Sequence, residues 1–364
     1  MQILTDIVVA ILTAYLALST SLASFVQQFT DGTETQTVVI DEQAETDDKM
    51  SSLPSRIGEA IPDILLRSAE YQSAALSSAA GLTGATTNDP LDAIVNIFCT
   101  FRTDEYIRTT TGTGFFIDPD GVILTNAHVA QFLLFEETDE LGETECMVRA
   151  GNPAAPKYYA ELLYISPAWV LDNASVMHDA VPMGTGERDY ALLFVSEHVD
   201  NSPLPARFPS LSFDTDLLPI STRNDAVVAA GYPAGELLSQ GPSAKLVPVK
   251  ADTTVSELYT FGSNYADVFS IRGSAVGAEG ASGGPVLNES GDVIGMIVTR
   301  GDDTVDGAGS LRAITLSHIG RTIEEETGFT LGENTGGNLP FRAEIFASTM
   351  TPFLLTILQQ AEPN

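Results

Sequence analysis

The sequence predicts an all-β fold, either a sandwich or a pair of barrels. Three observations carry that expectation. From about residue 91 the chain breaks into short apolar runs separated by turn-forming residues. Two of these runs, Gly114-Phe115-Phe116-Ile117 and Val122-Ile123-Leu124-Thr125, flank Asp118-Pro119-Asp120-Gly121, a strong hairpin signal. Helical patterns are confined to the edges, which leaves strands to build the core.

Taken in order, the chain opens with an apolar leader, residues 1–30. Ile7 to Val26 is 20 residues without a charge, enough helix to cross a bilayer of roughly 30 Å. Two readings stand side by side: an uncleaved membrane anchor, and a signal peptide cut after Ser21-Leu22-Ala23. No Lys or Arg precedes Lys49, so the basic start of a signal peptide is missing and charge bias sets no orientation. Both readings export the remaining chain to an extracytoplasmic location; a buried core helix fits this length less well. Residues 31–90 read as an acidic linker. Its first part has a disordered composition rich in Asp, Glu, Thr, Gln and Ser. Within 57–80, Ile61, Leu65 and Ala69 share one face of a short helix, which the Gly, Thr and Asn of 81–90 end.

Strands follow at Ile94–Phe98, at the two arms of the hairpin, and at Ala191–Val195, Ala226–Ala230, Pro285–Leu287 and Val293–Val298. Helices are expected near Leu316–Glu326 and Phe341–Gln360. The run Phe353–Leu358 inside the second is too short to span a bilayer and reads as part of a docking helix, in a tail over 329–364.

Charge narrows the partners. With 49 acidic and 17 basic residues, the net charge of −32 repels a phosphate backbone, so nucleic acid is not an expected partner. Anionic lipid headgroups are disfavoured for the same reason. Four lysines on so acidic a chain fit a secreted protein or a high-salt setting. An exported chain also favours a bridge between Cys99 and Cys146, worth roughly 4 kcal/mol in the chain-entropy model, over two buried free thiols.

Three segments carry chemistry. Gly280-Ala281-Ser282-Gly283-Gly284-Pro285 offers a hydroxyl in a tight, unobstructed turn with backbone N–H groups nearby, which suits attack on a carbonyl and the oxyanion that results. Thr111-Gly112-Thr113-Gly114 leads through the hairpin to Leu124-Thr125-Asn126-Ala127-His128-Val129, which sets His128 at the end of an apolar strand. Arg188-Asp189-Tyr190 immediately precedes the apolar strand at Ala191, so Asp189 is placed to be buried and must find a hydrogen-bond partner. An imidazole N–H would satisfy it and fix the tautomer. Asp172 and Asp179 precede no such strand, and His178 and His198 sit in polar surroundings without an assigned role.

In the order His, Asp, Ser, with spacings of 61 and 93 residues, these segments resemble the trypsin/chymotrypsin superfamily of serine proteases, most of all its HtrA-like bacterial members. The resemblance covers about 91–328. It implies two six-stranded antiparallel β-barrels, about 91–210 and 211–328, with the site in the cleft between them. It further implies His128, Asp189 and Ser282 as a catalytic triad and the N–H groups of Gly280 and Ser282 as the oxyanion hole. Gly231-Tyr232-Pro233 looks like a turn carried early in the second barrel. Substrates would be proteins or peptides, with no metal or organic cofactor, and relatives often form trimers, although no segment here marks a trimer contact.

Two departures qualify the resemblance. Ala281 stands where digestive relatives carry an aspartate that pairs with a newly cut N-terminus, so activation of that kind is not expected. The residues after Gly328 are too few for the PDZ domain usual in HtrA-like enzymes. For specificity, Val276 occupies the pocket-floor position that is acidic in Arg/Lys-cutting relatives, and Val298-Thr299-Arg300-Gly301 is the expected substrate strand, with Thr299 and Gly301 facing substrate. An apolar floor predicts cleavage after small or medium apolar residues. Asp302–Gly307 lacks the spacing of a Ca²⁺ loop and reads as an acidic turn. The alternatives are a catalytically silent binding or scaffold protein on the same fold, and a tethered adhesion protein in which the linker matters most.

Overall fold

The computed structural model describes residues 86–102, 107–137, 143–174, 186–235 and 245–360. The leader, nearly all of the linker and the helix expected within 57–80 lie outside the described residues. Twelve strands close into two antiparallel six-stranded barrels, the architecture that the resemblance implied.

The first barrel consists of β1 (Ile94–Arg102), β2 (Ile107–Asp118), β3 (Val122–Thr125), β4 (Glu143–Ala150), β5 (Ala155–Ile165) and β6 (Ala191–His198), in the order β1-β2-β3-β6-β5-β4. β1 closes it by pairing with β2 and with β4, and in the second ladder Cys99 stands opposite Cys146, joined to it by a disulfide. The Asp118–Gly121 turn forms the expected hairpin. Gly121 N–H donates to Asp118 O at 3.1 Å, Asp120 N–H donates to the Asp118 side chain at 2.8 Å, and Gly121 takes a φ of 96° that favours glycine. β3 is buried along its whole length between β2 and β6.

The second barrel consists of β7 (Ala226–Gly231), β8 (Val249–Tyr259), β9 (Val268–Ile271), β10 (Pro285–Leu287), β11 (Val293–Arg300) and β12 (Leu311–Thr315), in the order β10-β11-β12-β9-β8-β7. Val227, Val255, Phe269, Val286 and Ile297 pack inside it. Residues 199–225 join the barrels. Phe208 and Leu211 donate backbone N–H groups to Pro119 and Phe116 on the first, while Ser212 and Asp214 bond Val293 on the second.

After β12, the Leu316–Thr327 helix is capped by Thr315 Oγ1, which accepts His318 N–H at 3.0 Å, and is ended by Gly328 at a φ of 78°. The Leu339–Gln360 helix is long and apolar enough, by length and composition alone, to cross a membrane. One face of it, however, packs against β5, the Pro167–Asn173 helix and the 3₁₀ turn Gln131–Glu137. It buries Leu339, Ala343, Phe346, Met350, Leu354 and Leu358, a single stripe at spacings of three and four.

Candidate active site

Register brings the first two side chains together. β3 and β6 run antiparallel with Thr125 opposite Ala191, so the residues that follow Thr125 lie beside those that precede Ala191. Asn126 then turns the chain into the one-turn helix Ala127–Ala130, and its side-chain amide donates to Asp189 O at 2.9 Å. The Asp189 carboxylate meets His128 twice. Oδ1 accepts the His128 backbone N–H at 2.9 Å, and Oδ2 lies 2.7 Å from Nδ1. With Asp189 fully buried and His128 6% exposed, both oxygens serve one residue, and Nε2 bonds nothing among the described residues.

Ser282 comes from the second barrel, on the loop between β9 and β10, and is partly exposed. Glycine is required on both sides of it. Gly280 takes a φ of 90°, with Tyr232 O only 2.6 Å from where a Cβ would sit; Gly283 takes 87°, with Thr113 O at 1.9 Å. Loop carbonyls and amides are tied one by one: Ala234 N–H to Glu279 O at 2.6 Å, Ala281 N–H to Ala278 O at 3.2 Å, Gly283 N–H to Ile297 O at 2.8 Å, and Gly284 N–H to Ala281 O at 2.9 Å. The N–H groups of Gly280 and Ser282 donate to nothing among the described residues. Ser282 Oγ donates to Val298 O at 3.4 Å and makes no hydrogen bond to His128 Nε2.

Val276 is fully buried in the second barrel's core. Thr299 and Gly301 are partly exposed on and beyond β11, pairing respectively with Arg312 and with Ser310 O at 2.9 Å. A Cβ on Gly277 would lie 1.9 Å from Gly309 O, so these two backbone segments touch. Asp302 caps the short Asp303–Asp306 helix by accepting Thr304 N–H at 2.9 Å. Sequence reading assigned nothing to Thr113 or Ala234, yet both bond the Ser282 loop. A threonine between glycines carries no signal of its own, and Ala234 acts through its backbone.

A second buried pair lies elsewhere in the second barrel, with His318 Nδ1 3.0 Å from Asp267 Oδ1. Burial alone would raise the Asp267 carboxyl, but hydrogen bonds from His318, Ser263 and Phe261 N–H hold it well below the usual carboxylate range. Arg321 adds a contact at 2.6 Å. So many donors converging on one carboxylate make a structural hub. Of the rival residues, His198 pairs with Asp200 at 2.6 Å and Asp172 is exposed, while His178 and Asp179 lie outside the described residues.

The family model for the trypsin-like peptidase domain matches residues 112–296, a span that holds His128, Asp189 and Ser282. Among solved structures, the chain is similar to the active form of the Rv3671c protease from M. tuberculosis, at 21% identity and a TM-score of 0.39, over 69% of this chain and 87% of that one. It is likewise similar to an inactive form of that protease, at 22% identity and a TM-score of 0.38, over 66% of this chain and 91% of that one. Comparison with curated proteins gave no match. With the family model spanning just over half of its 364 residues and its strands closed into two barrels, this chain belongs to the trypsin-like peptidase domain family.

Proposed function

We propose that this peptidase-family chain is a serine endopeptidase acting outside the cytoplasm through Ser282, His128 and Asp189. One observation carries the reading: His128 is held by both carboxylate oxygens of Asp189, while Ser282 sits in a loop that leaves two amides, its own and that of Gly280, without an acceptor among the described residues. In the first step His128 Nε2 takes the Ser282 proton as Oγ attacks the substrate carbonyl. The oxyanion is received by the N–H groups of Gly280 and Ser282. His128 then protonates the leaving amine, and water, activated by the same imidazole, releases the acyl group. Asp189 keeps the Nδ1 proton in place throughout and stabilises the imidazolium.

The alternative, a silent scaffold, draws on the bond from Ser282 Oγ to Val298 O. That bond favours it only weakly. Turning a serine hydroxyl between staggered wells is a small change, and catalytic hydrogen bonds tighten when substrate arrives. Ala281 is buried and uncharged, which supports activity without a new N-terminus. Thr299 and Gly301, both partly exposed, form the substrate side of this reading, and the uncharged Val276, at the position taken as the pocket floor, supports apolar residues before the cut bond. The Cys99–Cys146 bridge supports an oxidising setting, with 91–328 as the exported protease domain and the leader as its anchor or signal.

The test is labelling of the full chain with a fluorophosphonate probe, followed by cleavage-site profiling on a peptide library. Wild type labels and cuts after small or medium apolar residues, whereas Ser282→Ala and His128→Ala do neither. Equal labelling of wild type and Ser282→Ala overturns the assignment of the nucleophile, and a profile dominated by Arg or Lys overturns the specificity.

A further inference from the structure

Thr113 belongs to β2 of the first barrel, opposite Asn96 of β1, and is fully buried. All of its polar atoms are engaged, most of them with the second barrel. Its N–H donates to Ser282 O at 2.7 Å, and its carbonyl accepts the Thr125 hydroxyl at 2.7 Å. Its Oγ1 lies 2.9 Å from Tyr232 N and 2.6 Å from Gly280 O. A hydroxyl has one proton to give. Because Tyr232 N–H can only donate, the threonine proton must go to Gly280 O. The direction of this two-bond bridge is therefore fixed by chemistry.

The bridge acts on the part of the loop that aims the free amides. In a trans peptide the C=O and the next N–H point in opposite directions. Tying Glu279 O to Ala234 N–H therefore directs the Gly280 N–H, and tying Ala281 O to Gly284 N–H directs the Ser282 N–H. The plane between these two carries Gly280 O, which a side chain, Thr113 Oγ1, holds. The same plane is tied at its amide end by Ala281 N–H to Ala278 O at 3.2 Å, a longer bond than the 2.6 Å one from Thr113, and Gly280 has no Cβ to resist rotation, so the hydroxyl is its shorter tether.

We propose that Thr113 is a positioning residue for the reaction: by bridging Tyr232 N–H to Gly280 C=O across the two barrels, its hydroxyl keeps the Gly280 and Ser282 amides aimed at the oxyanion. The proposal rests on Ser282 as nucleophile and on those amides as oxyanion donors. Thr113→Val keeps the shape and both backbone bonds but leaves Tyr232 N–H and Gly280 C=O unpaired. A mis-aimed donor costs somewhat less than an absent one, so kcat falls roughly 10- to 100-fold. KM changes less than about threefold, because ground-state contacts are untouched.

The experiment measures kcat and KM of the full chain, and affinity for a peptide aldehyde whose serine adduct carries the oxyanion. For wild type, Thr113→Ser and Thr113→Val, the expected result is a loss of aldehyde affinity in Thr113→Val that matches its loss in kcat/KM, with Thr113→Ser restored to within about threefold of wild type. A kcat for Thr113→Val within about threefold of wild type overturns the proposal. So does a loss confined to KM, or a serine variant as impaired as the valine one. Should Thr113→Val fail to fold, Thr113→Cys decides, since its thiol is a weaker donor at the same place: a smaller loss confined to kcat supports the bridge, and full kcat overturns it. Failure of the underlying reading is separately visible, because Ser282→Ala would then retain the activity of wild type.

Discussion

At the residue scale, Asp189 does two jobs with two oxygens, and a single substitution separates them from simple burial. Asp189→Asn keeps the volume and one acceptor, but sets an NH₂ group against either the His128 backbone N–H or Nδ1. With the NH₂ group against Nδ1, the imidazole must carry its proton on Nε2, where it cannot accept one from Ser282. Asp189→Asn is therefore expected to lower kcat by about 10⁴-fold, with KM within a few-fold of wild type. Steady-state kinetics on one peptide substrate check this, and a loss below about 10-fold would remove Asp189 from the mechanism. The three side chains proposed as a triad stood out in the sequence because such chemistry restricts both residue type and setting. A histidine follows a buried strand, an aspartate precedes another, and a serine sits among glycines that the structure requires at Gly280 and Gly283. Thr113 was not legible in the same way. Its role depends on a partner 167 positions away, and no local pattern marks which hydroxyl will cross between barrels.

At the scale of elements, the hairpin and the buried strands were legible because turn chemistry and apolar runs are local. β4, β5, β8, β9 and β12 were not placed from the sequence. β8 illustrates why, since Lys250 and Asp252 lie on its exposed side and dilute the apolar signal of a strand with one wet face. The Leu316–Thr327 helix was foreseen, but its link to the first barrel was not. Glu326, on its last turn, reaches across to accept hydrogen bonds from Tyr164 and from Ser166, the latter at 3.0 Å, and lies 3.2 Å from Arg188, next to Asp189. Burial pushes this carboxyl from the usual 4.5 up to about 8. The folded chain thus keeps a proton that the unfolded chain releases near 4.5. This contribution to stability is complete below pH 4.5 and is lost as pH rises through about 8. Glu326→Gln, which mimics the protonated acid, is expected to lack this loss. Denaturant unfolding of both proteins from about pH 5 to 9 should show wild type losing ground to the variant by at most roughly 1.4 kcal/mol per pH unit. Parallel curves across that window would mean that Arg188 keeps the carboxylate ionised.

At the scale of the whole molecule, the dominant physical fact is a net charge of −32. Attractive pairs do little to offset it. Exposed pairs such as Arg223–Glu257 at 2.7 Å and Lys250–Asp89 at 3.0 Å contribute roughly 0.2–1 kcal/mol each, and like-charge repulsion acts over the remaining surface. Folding brings these carboxylates closer together than they are in the expanded chain, so repulsion weighs more heavily on the folded state. Salt shortens its range from about 30 Å at 0.01 M to about 10 Å at 0.1 M. Screening should therefore stabilise this protein, whereas a protein held together by surface ion pairs would be weakened. Raising NaCl from about 10 mM to 0.5 M is expected to stabilise the fold by about 1–2 kcal/mol, which for barrels of this combined size raises the thermal midpoint by roughly 3–6 °C. The buried His128–Asp189 pair lies out of reach of this screening, so kcat at a fixed temperature should stay nearly constant over the same range. A midpoint that fell with salt would show that attraction between the few basic groups and their neighbours outweighs the repulsion of the many acidic ones.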